Sequence, residues 1–566
     1  MVFAGLLVVA AFQGPKEFRR HLTSDTSRAV ADARSAAADF ERGRRYQLPV
    51  THASWGRCDE RIGRFCYWYD DGDTSLPKEP EAVRKSRGKL LETLAALHQR
   101  APLSDWLIGQ RVHYSIEQQA HDSAVAVATR CGGTPWWCSA LLGLAHHTAG
   151  RFAAADSTYD TAVAEMPSEI RCAWLDWTKL LDPKLARRIE DLSCDDRRSV
   201  ADSLLWLGQP LLARPGNDLR TELLSRRVIS TLQSVAVPPF LTTWGADVEE
   251  LLMRYGWPTR WSVSDYSGAR LELPSLIGHE RSPAFLFWPV PNSVGAGGSP
   301  PGPPTSPEWR WELKPERPRS RYAPSYASRF AIAEEFQIAR FPRGDSTLVI
   351  GALSVGHDTA FNGPVDLRLA AASGPAVTPA VVGDDSLTTI GTLMLRMVGA
   401  PTLVSLEANP SGKGQFLRAR VGYPPPARGD SLTLSDPLLF VPTVDLPEVL
   451  EDAARHALPT SRVSRRRPIG VYWEASGPGA DSVEVAVAVV PIRRGFLGRI
   501  AQGLSLVRRR APLTLQWRAA GRPEATVGRA FELDLQKLRT GQYFLRLDAT
   551  SRGRTAAASR RFELIS

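Results

Sequence analysis

Leu142-Gly143-Leu-Ala-His146-His147-Thr-Ala-Gly150-Arg-Phe-Ala-Ala-Ala155-Asp-Ser-Thr-Tyr159-Asp-Thr-Ala162-Val-Ala-Glu-Met-Pro167 is the stretch on which the fold of the N-terminal half turns. Apolar residues recur at helical spacing on both sides of Gly150, which predicts two helices joined at that glycine. Gly143 and Ala155 are small where two helices cross closely, and Tyr159 fills the space between them. Pro167 ends the unit, because proline cannot continue a helix.

The same periodicity runs from residue 21 to about 235, with Gly and Pro clustered between segments and no alternating runs. The spacing of small and large residues in 142–167 resembles the tetratricopeptide repeat (TPR), with His146 standing where that family has an aromatic. At that family's period of roughly 34 residues, Gly109, Val125 and Ala128 take the places of Gly143, Tyr159 and Ala162. A degenerate second repeat is expected over about 104–131, with Trp106 near the usual aromatic position. Two repeats do not close a solenoid core, so flanking helices at about 80–99 and 216–233 are expected to cap the array. The resemblance implies a groove that binds a protein segment, for which Trp106, His113, His146 and His147 are the candidate contacts.

Residues 236–288 form a junction. Trp244-Gly245-Ala246-Asp247 is followed by Arg254-Tyr255-Gly256-Trp257-Pro258. At Trp244, Asp247, Arg254, Tyr255, Gly256 and Pro258 the segment resembles the GWxTD-domain proteins, an exported bacterial family. Thr243 replaces the signature Gly and Ala246 the signature Thr. The residues read either as Trp and Tyr packing a helix end capped by Gly256 or as a ligand site.

Residues 289–326 turn to Pro, Gly and Ser, the composition of a semi-rigid extended linker. Beyond it the period changes to two. Thr347–Val355, Val365–Leu369, Thr392–Met397, Leu403–Leu406 and Phe416–Val421 predict an antiparallel β-sandwich over 327–445. A short helix near Pro447–His456 and a basic loop, Arg462 to Arg467, introduce a second sandwich over 446–566. Its expected strands are Ile469–Glu474, Val483–Val489, Leu513–Trp517, Tyr543–Leu547 and Arg561–Leu564. Its last hairpin resembles those of bacterial immunoglobulin-like modules. The fold class is therefore multidomain, α then β.

The 566 residues are 43% hydrophobic and 23% charged, which excludes a disordered, collagen-like or polytopic membrane chain. The apolar run Val2–Phe12 is too short to cross a bilayer, which needs about 17–25 residues. It suits a secretory leader within 1–20, or a short anchor, although no Lys or Arg precedes it. Six cysteines fall as near neighbours: Cys58 and Cys66, Cys131 and Cys138, Cys172 and Cys194. That arrangement reads as three short-loop disulfides in an oxidising compartment, against buried thiols or a metal set whose ligand spacing is missing. The expected location is the periplasm or cell envelope.

Catalytic templates do not match. Gly351–Gly356 lacks the spacing of a nucleophile elbow, and Ser411–Gly414 lacks the frame of a phosphate loop. His146 and His147 are helix neighbours whose side chains diverge by roughly 100°, which is unsuited to sharing a metal. His279-Glu280-Arg281 reads as an acid–base cluster or a solvated turn, and Asp70–Asp73 as a polar turn rather than a calcium loop. No metal or cofactor is expected. Net charge is +10 at pH 7. Within the insertion 493–510, Phe496, Leu497, Ile500, Leu504 and Val507 recur at helical spacing between arginines. That pattern suits either an anionic membrane surface or packing on the sandwich. Nucleic acid lacks a reading motif here. The reading is an exported, non-catalytic scaffold or adaptor that binds a protein partner. The alternative is a cell-envelope hydrolase acting on glycan or peptide, with its site near 244–261.

Overall fold

The computed structural model describes residues 24–51, 58–69, 76–181, 183–238, 240, 242–264, 275–280, 284–288, 319–355, 364–387, 390–410, 414–423, 431–477, 480, 482–492, 513–520 and 527–566. The expected leader (1–20), the linker core (289–318), the Asp70–Asp73 turn and the basic insertion (493–510) lie outside the described residues. The helices are α1 (Ser24–Tyr46), α2 (Glu81–Arg100), α3 (Asp105–Glu117), α4 (His121–Thr129), α5 (Pro135–Thr148) and α6 (Phe152–Glu165). They continue as α7 (Ser168–Trp174), α8 (Pro183–Ile189), α9 (Cys194–Gly208), α10 (Asp218–Ser234) and α11 (Ala246–Tyr255). The chain divides into two compact units: Met1–Arg171 with Thr221–Arg281, and Cys172–Arg220 with Ser282–Ser566. Two of these boundaries fall inside the 21–235 stretch that the sequence groups as one helical domain.

In the first unit, Ala29, Ala33 and Ala37 recur every fourth residue and are fully or almost fully buried, so α1 offers a smooth face to Val83, Leu90 and Leu94 of α2. Helices α5 and α6 cross where the sequence places its small residues. A Cβ on Gly143 would lie 2.8 Å from the Tyr159 ring, and the buried Tyr159 hydroxyl is 2.9 Å from Ser225 Oγ on α10. Gly150 adopts φ +74°, and its N–H and that of Arg151 donate to the carbonyls of His147 and His146. This is how a glycine closes the C-terminus of a helix. Pro135 opens α5, where its missing N–H costs nothing. Asp105 ties the starts of α3 and α5, accepting from Thr134 N at 2.8 Å and Thr134 Oγ1 at 2.7 Å.

This stretch is not wholly helical. It also carries β1 (Val50–Thr51) and a hairpin of β2 (Glu60–Ile62) and β3 (Phe65–Tyr67). β1 runs parallel to β4 (Arg260–Ser264), which pairs antiparallel with β5 (Leu276–His279). Strands this short lack the alternating run by which a strand is recognised in sequence.

In the second unit β6 (Arg329–Ile332), β7 (Phe336–Arg343), β8 (Ser346–Ser354), β9 (Val365–Ala372), β10 (Ala380–Leu387), β11 (Ile390–Val398), β12 (Leu403–Pro410) and β13 (Gln415–Gly422) form two sheets. Their orders are β10-β9-β12-β13-β6 and β11-β8-β7. One core lies between them, with Val349, Leu353 and Leu395 facing Leu369, Leu406 and Leu417. The chain continues through β14 (Thr433–Leu434), β15 (Leu438–Phe440), α12 (Leu450–Arg455), β16 (Arg462–Ser464), β17 (Ile469–Ser476), β18 (Ser482–Pro491), β19 (Leu513–Ala520), β20 (Val527–Leu533), β21 (Gly541–Ser551) and β22 (Arg554–Ile565). Here β16-β22-β21-β18-β19 faces a smaller sheet centred on β17. β18 shows the amphipathic pattern plainly: Val483, Val485, Val487 and Val489 are buried on one face. Burial of each contributes roughly 1.5–3 kcal/mol. From Leu348 to Leu353 β8 carries no polar side chain, because its other face, Ile350 and Ala352, packs with Phe440, Ala453 and Tyr472 in a further core.

In the second unit pairing is antiparallel except that β6 runs parallel to β13 and β16 parallel to β22. The described end of the expected linker, 319–326, is packed rather than free. Phe285 and Tyr322 form an antiparallel bridge, and Trp288 Nε1 donates to Ser320 Oγ at 2.5 Å.

Candidate functional site

The segment from Trp244 to Pro258 supplies the first half of the site and the β2–β3 hairpin the second. Helix α11 starts after Gly245 and has no side-chain cap; its first-turn carboxylate, Asp247, faces the hairpin tip instead. Arg64 donates to Asp247 through Nε (2.7 Å), Nη2 (2.8 Å) and its backbone N–H (3.1 Å). The Val248 N–H adds a further bond of 2.9 Å. Arg64 Nη2 also reaches the Thr243 carbonyl at 2.9 Å. The tip comes this close because Gly63 has φ +54° and no side chain: a Cβ there would lie 2.4 Å from the Asp247 Cβ. The hydrogen bonds from Arg64 outweigh partial burial and hold the Asp247 carboxyl well below the usual carboxylate range.

The other end of α11 grips the base of the hairpin. Buried Arg254 bonds Glu60 at 2.6 Å, Glu250 at 3.2 Å and Tyr255 Oη at 2.7 Å. Tyr255 Oη donates to Glu60 at 3.1 Å, and Tyr69 Oη donates to the same carboxylate oxygen. Burial pushes the Glu60 carboxyl up, but hydrogen bonds from Tyr69 and Arg254 prevail and lower it. Tyr67 stacks on Tyr255 with centroids 3.6 Å apart and planes 7° apart, and its hydroxyl donates to Glu280 at 2.7 Å. The Cys58–Cys66 disulfide closes the hairpin.

Gly256 closes α11 with φ +95° and its N–H on the Leu252 carbonyl, as the packing alternative requires. Arg226 bonds the Met253 carbonyl at 3.0 Å and Glu222 at 2.6 Å, placing a cation at the negative end of the helix. Pro258 covers Gly278, where a Cβ would lie 2.6 Å from the proline ring. Trp244, Trp257, Trp261 and Phe240 follow one another at centroid spacings of 6.5, 5.6 and 4.3 Å.

Ser262 Oγ lies 2.7 Å from His279 Nε2, a nucleophile–base distance, and 2.6 Å from Thr51 Oγ1. Ser262 is completely buried, however, so no substrate atom reaches it. His279 and Glu280 serve different partners, and Arg281 lies outside the described residues.

The four expected groove residues have separate fates. Trp106 is buried, donates to the Val235 carbonyl at 3.1 Å and lies under Arg34. His113 is also buried, its Nε2 lying 3.1 Å from Gln233 and 3.3 Å from Glu117. Around it runs an interior ion network: Arg44 bonds Glu41 at 2.6 Å and Glu117 at 2.7 Å, Arg87 meets Glu117 at 3.3 Å, and Tyr114 donates to Glu41 at 2.9 Å. Burial opposes ionisation of Glu117, yet Arg44 and His113 hold its carboxyl far below the ordinary value. Both Trp106 and His113 belong to the interior: Trp106 packs in the apolar cluster with Phe40, Leu94 and Tyr114, and His113 sits against the ion network through Glu117. His147 is held between Thr221 and Glu222, each at 2.9 Å. Against burial, Arg226 and His147 hold Glu222 down to about 2. His146 is half-buried, with its imidazole pushed down by burial and by Arg151; its Nδ1 finds no partner among the described residues.

Cys131–Cys138 and Cys172–Cys194 are bonded as well, so all three expected pairs form, with Cα separations of 5.5–5.7 Å. Such bonds fit an oxidising compartment. Among the described residues no helix is long and apolar enough to cross a membrane, and no group of three ligating side chains is placed to hold a metal. Sequence reasoning missed Gly63, Arg64 and Glu60, although a glycine followed by arginine inside a short cysteine loop marks a turn presenting a cation. Comparison with protein-family models and with curated proteins finds no match to the chain.

Proposed function

We propose that the chain is an exported, non-catalytic scaffold that binds a protein partner, built from a TPR-like helical region, a GWxTD-like segment and two Ig-like β modules. The observation that carries this reading is the engagement of Asp247. Its oxygens accept from Arg64 and Val248, so Asp247 itself is not poised as a base toward a substrate. The neighbouring polar groups are spent the same way: Glu60 on Arg254 and two tyrosines, Ser262 inside the core. In this reading the GWxTD-like residues bind the disulfide-closed hairpin to α11. Of the four groove candidates, Trp106 and His113 are buried and His147 is held by Thr221 and Glu222, so it is the half-buried His146 near the end of α5 that faces a partner.

Purified full-length protein assayed against glycan and peptide substrates tests this. The expected result is no turnover, with Asp247→Asn lowering stability only. Turnover in the parent that disappears in a folded Asp247→Asn variant would establish the hydrolase.

A further inference from the structure

One end of the second β-sandwich is basic. The connection from β16 to β17 is Arg465-Arg466-Arg467-Pro468, and the connection from β20 to β21 contains Lys537 and Arg539. The pairing register brings these connections to a common end. Ser464 pairs with Ile565 and Ile469 with Leu533, while Gly541 pairs with Leu564. Backbone bonds order both turns: Arg465 N–H donates to Ile565 O at 3.0 Å, Arg466 N–H to Ser464 Oγ at 3.2 Å and Leu538 N–H to Leu535 O at 3.0 Å.

All five cationic side chains are exposed, and among the described residues none takes part in an ion pair. Among the described residues the carboxylate side chains on these strand ends and turns are Glu532 and Asp534, and Glu563, which is paired with Arg462 at 3.4 Å. Arg561 adds a further cation, bonded to Gln542 at 2.8 Å. Five cations held at one rim without ion-pair partners among the described residues repel each other, and folding alone gives no return for that. An anionic surface does.

We propose that this end of the sandwich docks on an anionic phospholipid bilayer through Arg465, Arg466, Arg467, Lys537 and Arg539. Charge complementarity alone would suit any polyanion. The sequence that leaves from this end favours the bilayer. β18 finishes at Pro491, paired with Tyr543 near the start of β21, and β19 begins at Leu513. Between them the chain has arginines at 493, 494, 499 and 508–510, no acidic residue, and apolar residues at helical spacing. A soluble polyanion has no use for those apolar residues, whereas a bilayer takes up both kinds.

The test is co-sedimentation of the full-length protein with vesicles of phosphatidylglycerol and phosphatidylcholine, beside pure phosphatidylcholine vesicles and immobilised heparin. Binding to the anionic vesicles alone, weakened by salt, is expected. The Arg465→Gln/Arg466→Gln/Arg467→Gln variant loses roughly fivefold in partition per cation, on the order of a hundredfold in all. Its unfolding midpoint is expected to stay unchanged, because the three side chains are exposed and make no hydrogen bond or ion pair among the described residues. Equal pelleting of this variant, loss only on deletion of 493–510, or retention on heparin without vesicle binding would each overturn the proposal.

Discussion

Arg64 meets Asp247 with three donors: two from its guanidinium and one from its own backbone N–H at 3.1 Å. The backbone bond fixes the hairpin tip in register with α11, which a flexible side-chain pair alone would not do. The helix in turn gains a carboxylate at its positive end.

Acid is therefore expected to loosen the first unit. Asp247 and Glu222 both have carboxyls held below the ordinary value, Glu222 moving from 4.5 to about 2. The folded form binds fewer protons than the unfolded chain in that range, so their stabilisation is complete above about pH 4.5 and declines as pH falls toward 2. Urea midpoints between pH 7 and pH 2.5 will show this decline. Asp247→Asn will lower the midpoint at pH 7 and flatten the acid limb; an unchanged limb would remove Asp247 from the account.

Substitutions at two glycines in the same unit separate backbone strain from close packing. Gly150 and Gly63 both have positive φ, +74° and +54°, but a Cβ on Gly150 meets nothing within 4 Å whereas one on Gly63 collides with Asp247. Gly150→Ala should cost only the left-handed backbone strain, about 1–2 kcal/mol. Gly63→Ala should cost at least 1 kcal/mol more, because the clash adds to the strain. Equal losses in denaturant unfolding would mean that the hairpin tip does not seat on α11.

What could be read in advance follows from how local each signal is. The Gly143–Gly150–Tyr159 spacing and the alternation of β18 are local patterns, and the helices and strands formed on them. The Arg64–Asp247 bond joins residues 183 apart in sequence, so no window of sequence contains both. Trp106 and His113, expected as groove contacts, are buried for a similar reason. Their helix packs against α2, α4 and α5, with side chains of α1 and α10 also reaching it, so periodicity on α3 alone names no outward side. In β12 and β13 the alternate polar residues Ser405, Glu407, Arg418 and Arg420 look solvent-facing, yet all four are buried beneath the 207–213 segment.

Gly143 and Tyr159 allow the helix crossing to be measured directly. A Cβ at 2.8 Å from the ring forces one helix to shift, so Gly143→Ala should destabilise by about 1–3 kcal/mol. Tyr159→Leu removes the ring and its bond to Ser225, with a cost of its own. In the double variant the penalties should fall short of their sum by about 1 kcal/mol, since the methyl then enters space the ring has left. Strict additivity would place the two residues out of contact.

Glu407 is the corresponding test in the second unit. Its carboxylate, 4% exposed, accepts from Leu212 N–H at 2.7 Å, Ala213 N–H at 3.2 Å and Ser405 Oγ at 2.6 Å, and faces Arg420 at 3.6 Å. Burial pushes the Arg418 and Arg420 guanidiniums down, and Glu407, ahead of the more weakly acting Asp218, is the main charge that offsets these two buried cations. Glu407→Ala removes that offset and strands two backbone donors, which should cost about 3–5 kcal/mol. Glu407→Gln keeps an acceptor for Leu212 and should cost less. Thermal unfolding ranks the three proteins. The expected order is parent, Gln, then Ala; a Gln variant as unstable as Ala would show that the negative charge, not the hydrogen bonds, holds the 207–213 segment on the sheet.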